Sequence, residues 1–488
     1  MRTYKGRVNI VKIRKYQELC KVCDQILINN ISTPQIVANS YLHVLKSHPE
    51  FLAKYDLSMA AKVWLSLRFR LISIVRVFQS IFDRKHYYSE QEYIKSDVLF
   101  VSHLISEQQL LSDSDAYFGN LSKLLLEQGI SSGTALINQT NTSNRNVLNS
   151  WKNSEVFRII LSPNLDFLSE IRLYLSQKKS NKQLRLALKN LKVDKILIKD
   201  ILRQHFSSDT FNALRIANQV ANIARKTGAK YVVTTYEGHA WERLVYYYAK
   251  KINPNIMCLG YQHAAVFKHQ HAIKRPLRKE YNPDVFLTSG LVAKKIFEQS
   301  QLKDFKIACI GSPKHLKPNL VTGVKQCCLV VPEGYVSECL ILFKFSLNYA
   351  KQHPKQKFIW RLHPLLSFER LKKYSGIFKK IPDNIYLSEG DLDEDIQKCD
   401  CALYRGSTAV VNTINAGLKP IYYQQSTDEL SVDPIYQQRQ GKEIVQSQKE
   451  LGLALNKDVD IKDRQALQDF AQNFYTPLDV QALKAAML

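Results

Sequence analysis

Two short runs carry residue types that could hold an anion and move a proton. One is Lys357-Phe-Ile-Trp-Arg-Leu-His-Pro364. The other is Cys401-Ala-Leu-Tyr-Arg-Gly-Ser-Thr408, which continues into Ala409-Val-Val-Asn-Thr-Ile-Asn-Ala-Gly417. Each begins as an apolar, strand-like stretch. Pro364 disfavours helical geometry at His363 and holds it extended at a strand exit. An imidazole there can donate a hydrogen bond to a phosphate, and Arg361 can form a forked pair with one. Alternation along the strand sets Arg361 and His363 on one side. In the second run, Gly406 lets backbone approach closely, and Ser407 and Thr408 suit the N-cap of a helix beginning at Ala409. Capping is compatible with a second role, because free N–H groups at a helix start attract anions and nearby hydroxyls add donors. Taken singly, Arg361 is a surface ion, His363 a loop histidine and Ser407-Thr408 a cap. On neighbouring strand ends they form one phosphate site. Glu333-Gly334, after Cys327–Val331, lies at a third strand end, where a carboxylate either accepts from a ribose or base or is ordinary loop polarity.

A second constellation lies in the other half of the chain. Thr235-Tyr-Glu-Gly-His-Ala-Trp-Glu242 leaves a strand and enters a helix, bringing Glu237, His239 and Glu242 to one edge. A carboxylate in such a place is what a hydroxyl needs as general base, or an electrophilic carbon as nucleophile. Gly260-Tyr-Gln-His-Ala264 ends the next strand and brings His263 to the same edge. Beyond it Lys268, His269, His271, Lys274, Arg275 and Arg278 make a basic loop suited to an anionic substrate. The plainer roles are a dipole-stabilised carboxylate for Glu237 and a solvated helix position for Glu242.

The elements that must position these residues alternate. From Asp97 onward, apolar strand-like runs (97–103, 157–161, 230–236, 256–261, 284–288, 305–310) are separated by helical patterns. After a polar stretch with Pro318 and Gly323, which reads as a linker, a second series follows: 327–331, 358–362, 384–387, 402–404 and 420–423. Strand–helix repetition of this kind predicts parallel sheets covered by helices on both faces. The expected fold class is α/β, with two doubly wound Rossmann-like domains facing a cleft. Ligands of such sheets bind at the carboxyl ends of strands. The expected divisions are a helical N-terminal region (1–92), a first Rossmann-like domain (93–318), a second (319–442) and a helical tail (443–488).

The bulk composition is that of a globular chain. Its 69 Lys+Arg against 44 Asp+Glu give a net charge of +25, which predicts an anionic partner without saying which. The first 90 residues alone hold 15 Lys/Arg against 6 Asp/Glu. Within them, Lys62–Asp83 repeats Trp64, Leu67, Leu71, Ile74, Val75, Phe78, Ile81 and Phe82 at three- and four-residue steps, with Arg68, Arg70 and Arg76 between. This predicts a basic amphipathic helix, seated either on its own domain or on an anionic membrane surface. No run is apolar and long enough for a spanning helix, and no signal peptide is evident. The cysteines sit mostly in apolar runs, as buried thiols do, and Cys20-Lys-Val-Cys23 is a lone pair without zinc spacing. These features point to a reducing cytoplasmic setting. A nucleic-acid-binding protein is the reading from another class, but no RNA-recognition, zinc-finger or helix-turn-helix pattern accompanies the charge. A scaffold without catalysis is a further one.

At the quoted residues the chain resembles the GT-B glycosyltransferases of bacterial surface polysaccharide synthesis. It is most similar to those using CMP-activated acidic sugars, the Kdo transferases of capsule and lipopolysaccharide assembly and the bacterial sialyltransferases. The resemblance runs from about Asp97 to Gln425. It implies that His363-Pro364 and Ser407-Thr408 contact the CMP phosphate, with Arg361, Gly406, Glu333 and Gly334 completing the donor site. It implies a catalytic residue among Glu237, His263 and Glu242, with His239, Lys268, Lys274 and Arg275 facing anionic substrate. Glu237-Gly238 matches only part of the Asp/Glu-Asp-Gly motif of one sialyltransferase group. No metal and no cofactor beyond the CMP-activated co-substrate is implied. The implied partners are a nucleotide-sugar donor, a glycan or lipid-linked glycan acceptor and an inner membrane surface, with no nucleic acid. CDP-glycerol glycerophosphotransferases share a similar Arg-x-His-Pro and Ser-Ser layout and stand as the alternative.

Overall fold

The computed structural model describes residues 13–29, 33–43, nine positions between 60 and 78, and 94–488 except 152–156, 190, 192–194, 316, 318–319, 322–325 and 365. Two parallel sheets organise it. The first has seven strands: β1 (Val98–Leu104), β2 (Ser132–Asn138), β3 (Phe157–Ile160), β4 (Tyr231–Thr235), β5 (Met257–Gln262), β6 (Val285–Thr288) and β7 (Lys306–Cys309), in spatial order β3-β2-β1-β4-β5-β6-β7. The second has β8 (Cys327–Val331), β9 (Lys357–Trp360), β10 (Ile385–Leu387), β11 (Cys401–Tyr404), β12 (Lys419–Tyr423) and β13 (Glu443–Val445), in order β10-β9-β8-β11-β12-β13. Both orders reverse direction beside their first strand, at β1/β4 and at β8/β11. A crevice opens at that place above the carboxyl ends. The expected pair of doubly wound domains is present.

Two strands add to the expected set. Gly133 and Thr134 give β2 a loop-like start, yet the glycine is needed, since a Cβ there would strike the Phe157 ring of β3. Glu443–Val445 pairs with β12 and carries the second sheet past the boundary expected at 442. Between β1 and β2, Asp115 and Gly119 close a turn before the helix Leu121–Glu127.

The tail is divided between the domains. Gln448–Asn456 packs on the second sheet through Leu451 and Ala454, and Ile461–Phe474 packs on its other face through Leu467, Ala471 and Phe474. The chain then returns to the first domain, where Leu483 and Met487 of Val480–Met487 join the apolar layer of Val98, Phe100 and Leu259. This return runs beside the outgoing linker. The Ser312 N–H donates to the Thr476 carbonyl (2.9 Å), and Asp479 N–H to Ile310 (2.9 Å). Gly311 (φ +76°) lies so close to Pro477 that a Cβ would run into its carbonyl. Two chain crossings thus join the domains.

At the start of the chain, Ile13–Asp24 and the segment to His43 pack into the first domain's core through Tyr16, Cys23, Ile26, Val37 and Leu42. Most of the Lys62–Asp83 helix falls outside the described residues. Its described positions are helical, and Trp64, Leu67, Leu71, Val75 and Phe78 are all more than half exposed. Among the described residues no helix is long and apolar enough to cross a membrane.

Candidate active site

The turn after β4 carries the densest group of titratable side chains. Gly238 sits at φ +83°, and a Cβ there would press on the Ala272 backbone at about 2.5 Å, so only glycine fits the bend. The Glu242 carboxylate, fully buried one turn into the helix Ala240–Ile252, holds the bend from below. It accepts from the N–H groups of Glu237 (3.0 Å), Gly238 (2.8 Å) and His239 (2.8 Å). Burial pushes its pKa up to about 7, with His239 and the N–H donors pulling the other way. Glu242 therefore positions the turn rather than facing solvent.

The same turn delivers Glu237. Its Oε2 lies 3.1 Å from His239 Nε2 and its Oε1 3.7 Å from His263 Nε2, beyond the end of β5. Burial lowers the His263 pKa to about 4 against the pull of Glu237. His103, at the end of β1, is lowered to about 3 for the same reason, with His239 and His263 adding to the effect. Tyr117 packs on His263 with ring centroids 4.2 Å apart, and His103 meets Trp241 edge-on. The result is one carboxylate among three imidazoles, two of which, His103 and His263, are disfavoured as cations by burial, at the carboxyl edge of β1, β4 and β5. A carboxylate in such a low-dielectric pocket is a competent proton acceptor.

The three strand ends of the second domain also converge. His363 follows β9 and is half-buried, its pKa lowered by desolvation and partly restored by Glu333. Gly334, after β8, lies against it; a Cβ there would stand 3.1 Å from the imidazole. Gly406, after β11, lies against the Glu333 carboxylate so closely that a Cβ would collide with it. Glu333, Gly334, His363 and Gly406 thus form one contact group, next to Ser407. Thr408 is the N-cap by position but makes no cap bond, while Ser407 Oγ accepts from the Ala409 N–H at 3.3 Å. The helix is short, Ala409–Asn415, so any anion here depends on side chains more than on a helix dipole.

Other expected ligands have different work. Arg361 follows the last residue of β9, and its Nη1 donates to Asp395 (2.7 Å), Ser388 (3.0 Å) and the Gly390 carbonyl (2.9 Å). Arg275 is fully buried and paired with Asp24 at 2.6 Å, while His271 takes the other side of the same carboxylate. Lys274 donates to the carbonyls of Phe267 and Lys268, and desolvation lowers its pKa to about 8. Lys268 and Lys274 line a cleft of about 1380 Å³ between the domains, facing Gln424, Glu429 and Arg439 across it. That cleft lies toward β12, to one side of Glu237 and His363, neither of which lines it.

One supporting residue was not expected from the sequence. Arg405, within the second motif, is fully buried between Glu338 (2.6 Å) and Glu429, and also donates to the Tyr423 carbonyl. An arginine directly after an apolar strand was the available signal. Among the described residues no group of three or more His, Cys, Asp or Glu side chains is arranged to hold a metal ion.

Two Rossmann-like domains with their carboxyl edges in one crevice form the GT-B architecture. No family model matches the chain, and no curated protein matches it in sequence. Among solved structures it is similar to the glycotransferase of kitacinnamycin (10% identity, TM-score 0.47, covering 80% of this chain and 97% of that one). It is similar to a glycosyltransferase from Rickettsia africae (13%, TM-score 0.44, 81% and 98%). It is similar also to the UDP-GlcNAc 2-epimerase of Neisseria meningitidis bound to UDP-GlcNAc (11%, TM-score 0.43, 80% and 97%). Likenesses this distant carry nothing about donor, acceptor or catalytic residues.

Proposed function

We propose that the chain is a glycosyltransferase that moves an acidic sugar, Kdo or another nonulosonate-like unit, from a CMP-activated donor to a surface-glycan acceptor. The observation that carries this reading is the pairing of a desolvated carboxylate at the first domain's edge with a hydroxyl- and imidazole-bearing edge on the second. In this reading His363, Ser407 and Thr408 hold the donor phosphate, and Glu333 with Gly334 and Gly406 shapes the floor beneath the nucleotide. Glu237 is the base. The acceptor oxygen bonds to the anomeric carbon as its proton passes to the Glu237 carboxylate. The bond from that carbon to the phosphate oxygen breaks, and its electron pair leaves with CMP. His263 and His239 keep Glu237 oriented, and neutralisation of the leaving phosphate falls to protein donors.

The basic cleft wall at Lys268 and Lys274 suits an anionic substrate. The exposed apolar row Trp64, Leu67, Leu71, Val75 and Phe78, in a segment rich in arginine, supports a seat on an anionic bilayer. Co-sedimentation with vesicles of anionic, but not neutral, lipid tests that seat. The donor is tested by measuring CMP release against a panel of CMP-activated acidic sugars and by titrating CMP and CDP-glycerol. CMP binding with turnover of one acidic sugar is the expected result. A response to CDP-glycerol alone would move the assignment to glycerophosphate transfer, and salt-sensitive DNA binding without nucleotide binding would end both.

A further inference from the structure

The cleft beside the reaction edges has a chemistry of its own. It encloses about 1380 Å³ between the domains, more than the roughly 300–1,000 Å³ of an ordinary small-molecule pocket. Its lining holds five Lys/Arg against two Asp/Glu. Both carboxylates are already engaged: Glu429 by the buried Arg405, and Asp433 by Lys442 Nζ (2.7 Å) and the Tyr404 hydroxyl (3.0 Å). The other four cations are Lys268, Lys274, Lys295 and Arg439, and among the described residues no carboxylate stands within ion-pair distance of them. They are dispersed. Lys268 and Lys274 stand on the loop after β5, Lys295 on the helix Leu291–Glu298 after β6, and Arg439 on the loop between β12 and β13. The rest of the wall is rich in amides and hydroxyls, such as Gln299, Gln437 and Ser431, and includes the Tyr436 ring. The loop after β5 is fixed in place by the N-terminal segment. Asp24 accepts from Arg275 (2.6 Å) and pairs with His271 (2.8 Å), and the Tyr16 hydroxyl accepts from the His271 N–H (3.2 Å).

We propose that this cleft is a binding site for an extended acidic oligosaccharide, the part of the acceptor chain that lies behind the reacting hydroxyl. The inference rests on the glycosyl-transfer reading above and narrows its acceptor to a chain that already carries carboxylates. Cations dispersed over three elements of two domains match negative charges repeated along a chain better than the single compact charge of a free phosphate. Amides and hydroxyls pair with sugar hydroxyls, and a tyrosine ring gives the apolar face of a sugar a support. Neither Glu237 nor His363 lines the cleft, so it is not the place of reaction. The loop after β5 joins the two places. It begins at His263, beside Glu237, and Lys268 is five residues further on, which is at most about 18 Å of extended chain. An oligosaccharide seated on Lys268, Lys295 and Arg439 can therefore present its end to Glu237. Affinity in such a cleft grows with chain length, because each added acidic unit meets a further cation without a new loss of translational freedom.

The test uses the full chain and calorimetric titration with octagalacturonate, digalacturonate, the neutral maltooctaose and CMP, with a short single-stranded DNA as a competing polyanion. Octagalacturonate should bind roughly tenfold more tightly than digalacturonate, and maltooctaose should not bind. Lys295 and Arg439 are both exposed, so the fold does not rest on them. The double variant Lys295→Gln/Arg439→Gln should weaken octagalacturonate binding roughly three- to tenfold and leave CMP affinity near wild type. Lys344→Gln, which removes an exposed charge outside the cleft, should change neither. If the chain binds CMP while octagalacturonate fails to bind, binds no better than the dimer, or ignores the double variant, the cleft assignment fails and the transfer reading stands. If octagalacturonate binds and responds to the double variant while CMP does not bind, the transfer reading fails and the cleft stands as an acidic-saccharide site. DNA that displaces octagalacturonate and binds more tightly would overturn the saccharide assignment in favour of a nucleic acid. Binding of neither CMP nor octagalacturonate overturns both readings.

Discussion

The two carboxyl edges that face the crevice are built on opposite principles. The first domain's edge is crowded with titratable groups whose charges are tuned by burial: Glu237 among His103, His239 and His263, with Glu242 beneath. The second domain's edge is sparse. It offers one half-buried imidazole beside the Glu333 carboxylate, two hydroxyls and glycines that let strand ends touch. The supports differ in the same sense. A buried carboxylate gathers the N–H groups of the first turn, whereas a buried guanidinium, Arg405, ties together two carboxylates and a carbonyl beneath the second. A proton-moving edge needs groups with shifted pKa values. An anion-holding edge needs donors of fixed geometry. The asymmetry is what a transferase divided between two domains requires.

The sharpest way to break the comparison is at Glu237. Glu237→Gln keeps the size and the contact with His239 but removes the base. Turnover should fall roughly 10³-fold, as loss of a general base does, while CMP affinity measured by calorimetry stays near wild type. A parallel loss of CMP binding would mean that the two edges do not divide the work. Next in size is Arg405→Ala, which leaves Glu338 and Glu429 buried without their cation and should cost about 3–5 kcal/mol. Chemical denaturation with Trp360 fluorescence, inside the second domain, reads it. A loss below about 1 kcal/mol, the scale of an exposed ion pair, would show that the guanidinium is not the keystone of that edge.

Much of this arrangement could be read before the structure, and the failures have physical causes. Strand runs such as Tyr231–Thr235 and Cys327–Val331 are continuous β-branched and apolar sequences, as strands buried on both faces must be. β2 is not, because Gly133 is there for Phe157 and not for its own strand. His363, Ser407 and Glu237 were legible because a strand end followed by Pro, Gly or a helix start has local signatures. Arg361 and Arg275 were misleading for the opposite reason. Their partners Asp395 and Asp24 come from distant segments, and nothing in a local pattern separates an arginine aimed at a ligand from one already paired.

His363→Ala probes the anion-holding edge directly. Turnover should drop roughly 10²-fold and CMP affinity about tenfold, with the far-ultraviolet circular dichroism unchanged, since the imidazole is only half-buried. Full activity would remove the donor site from this edge. Acid offers a milder contrast. His103, His205, His263 and His269, all in the first domain, have folded pKa values near 3 to 4, below the ordinary 6.5. A depressed histidine contributes stability that is present above about pH 6.5 and is lost as the pH falls toward its folded pKa. Glu242, raised to about 7, and Asp115, also raised, act in the opposite sense, losing stability as pH rises, and offset part of this. The first domain should therefore lose more stability than the second between pH 7 and 5, by on the order of several kcal/mol. Hydrogen exchange resolved by domain measures the difference, and Glu242→Gln, by removing an offsetting group, should steepen it. Equal losses would mean that the first edge's tuning is not expressed in folding.

The smallest expected effect separates capping from binding at Ser407. Its Oγ accepts from the Ala409 N–H at a long 3.3 Å, and the helix it precedes is only two turns long. Ser407→Ala therefore removes little intrinsic helix stability, and the loss should stay near 0.5–1 kcal/mol. If the hydroxyl also donates to a phosphate, CMP affinity should fall about five- to tenfold beyond what the stability change explains, whereas Ser407→Thr, which keeps the hydroxyl, should recover most of it. A stability loss with unchanged CMP affinity would reduce Ser407 to a cap, leaving His363 and Thr408 to hold the anion and making the second edge sparser still than the first.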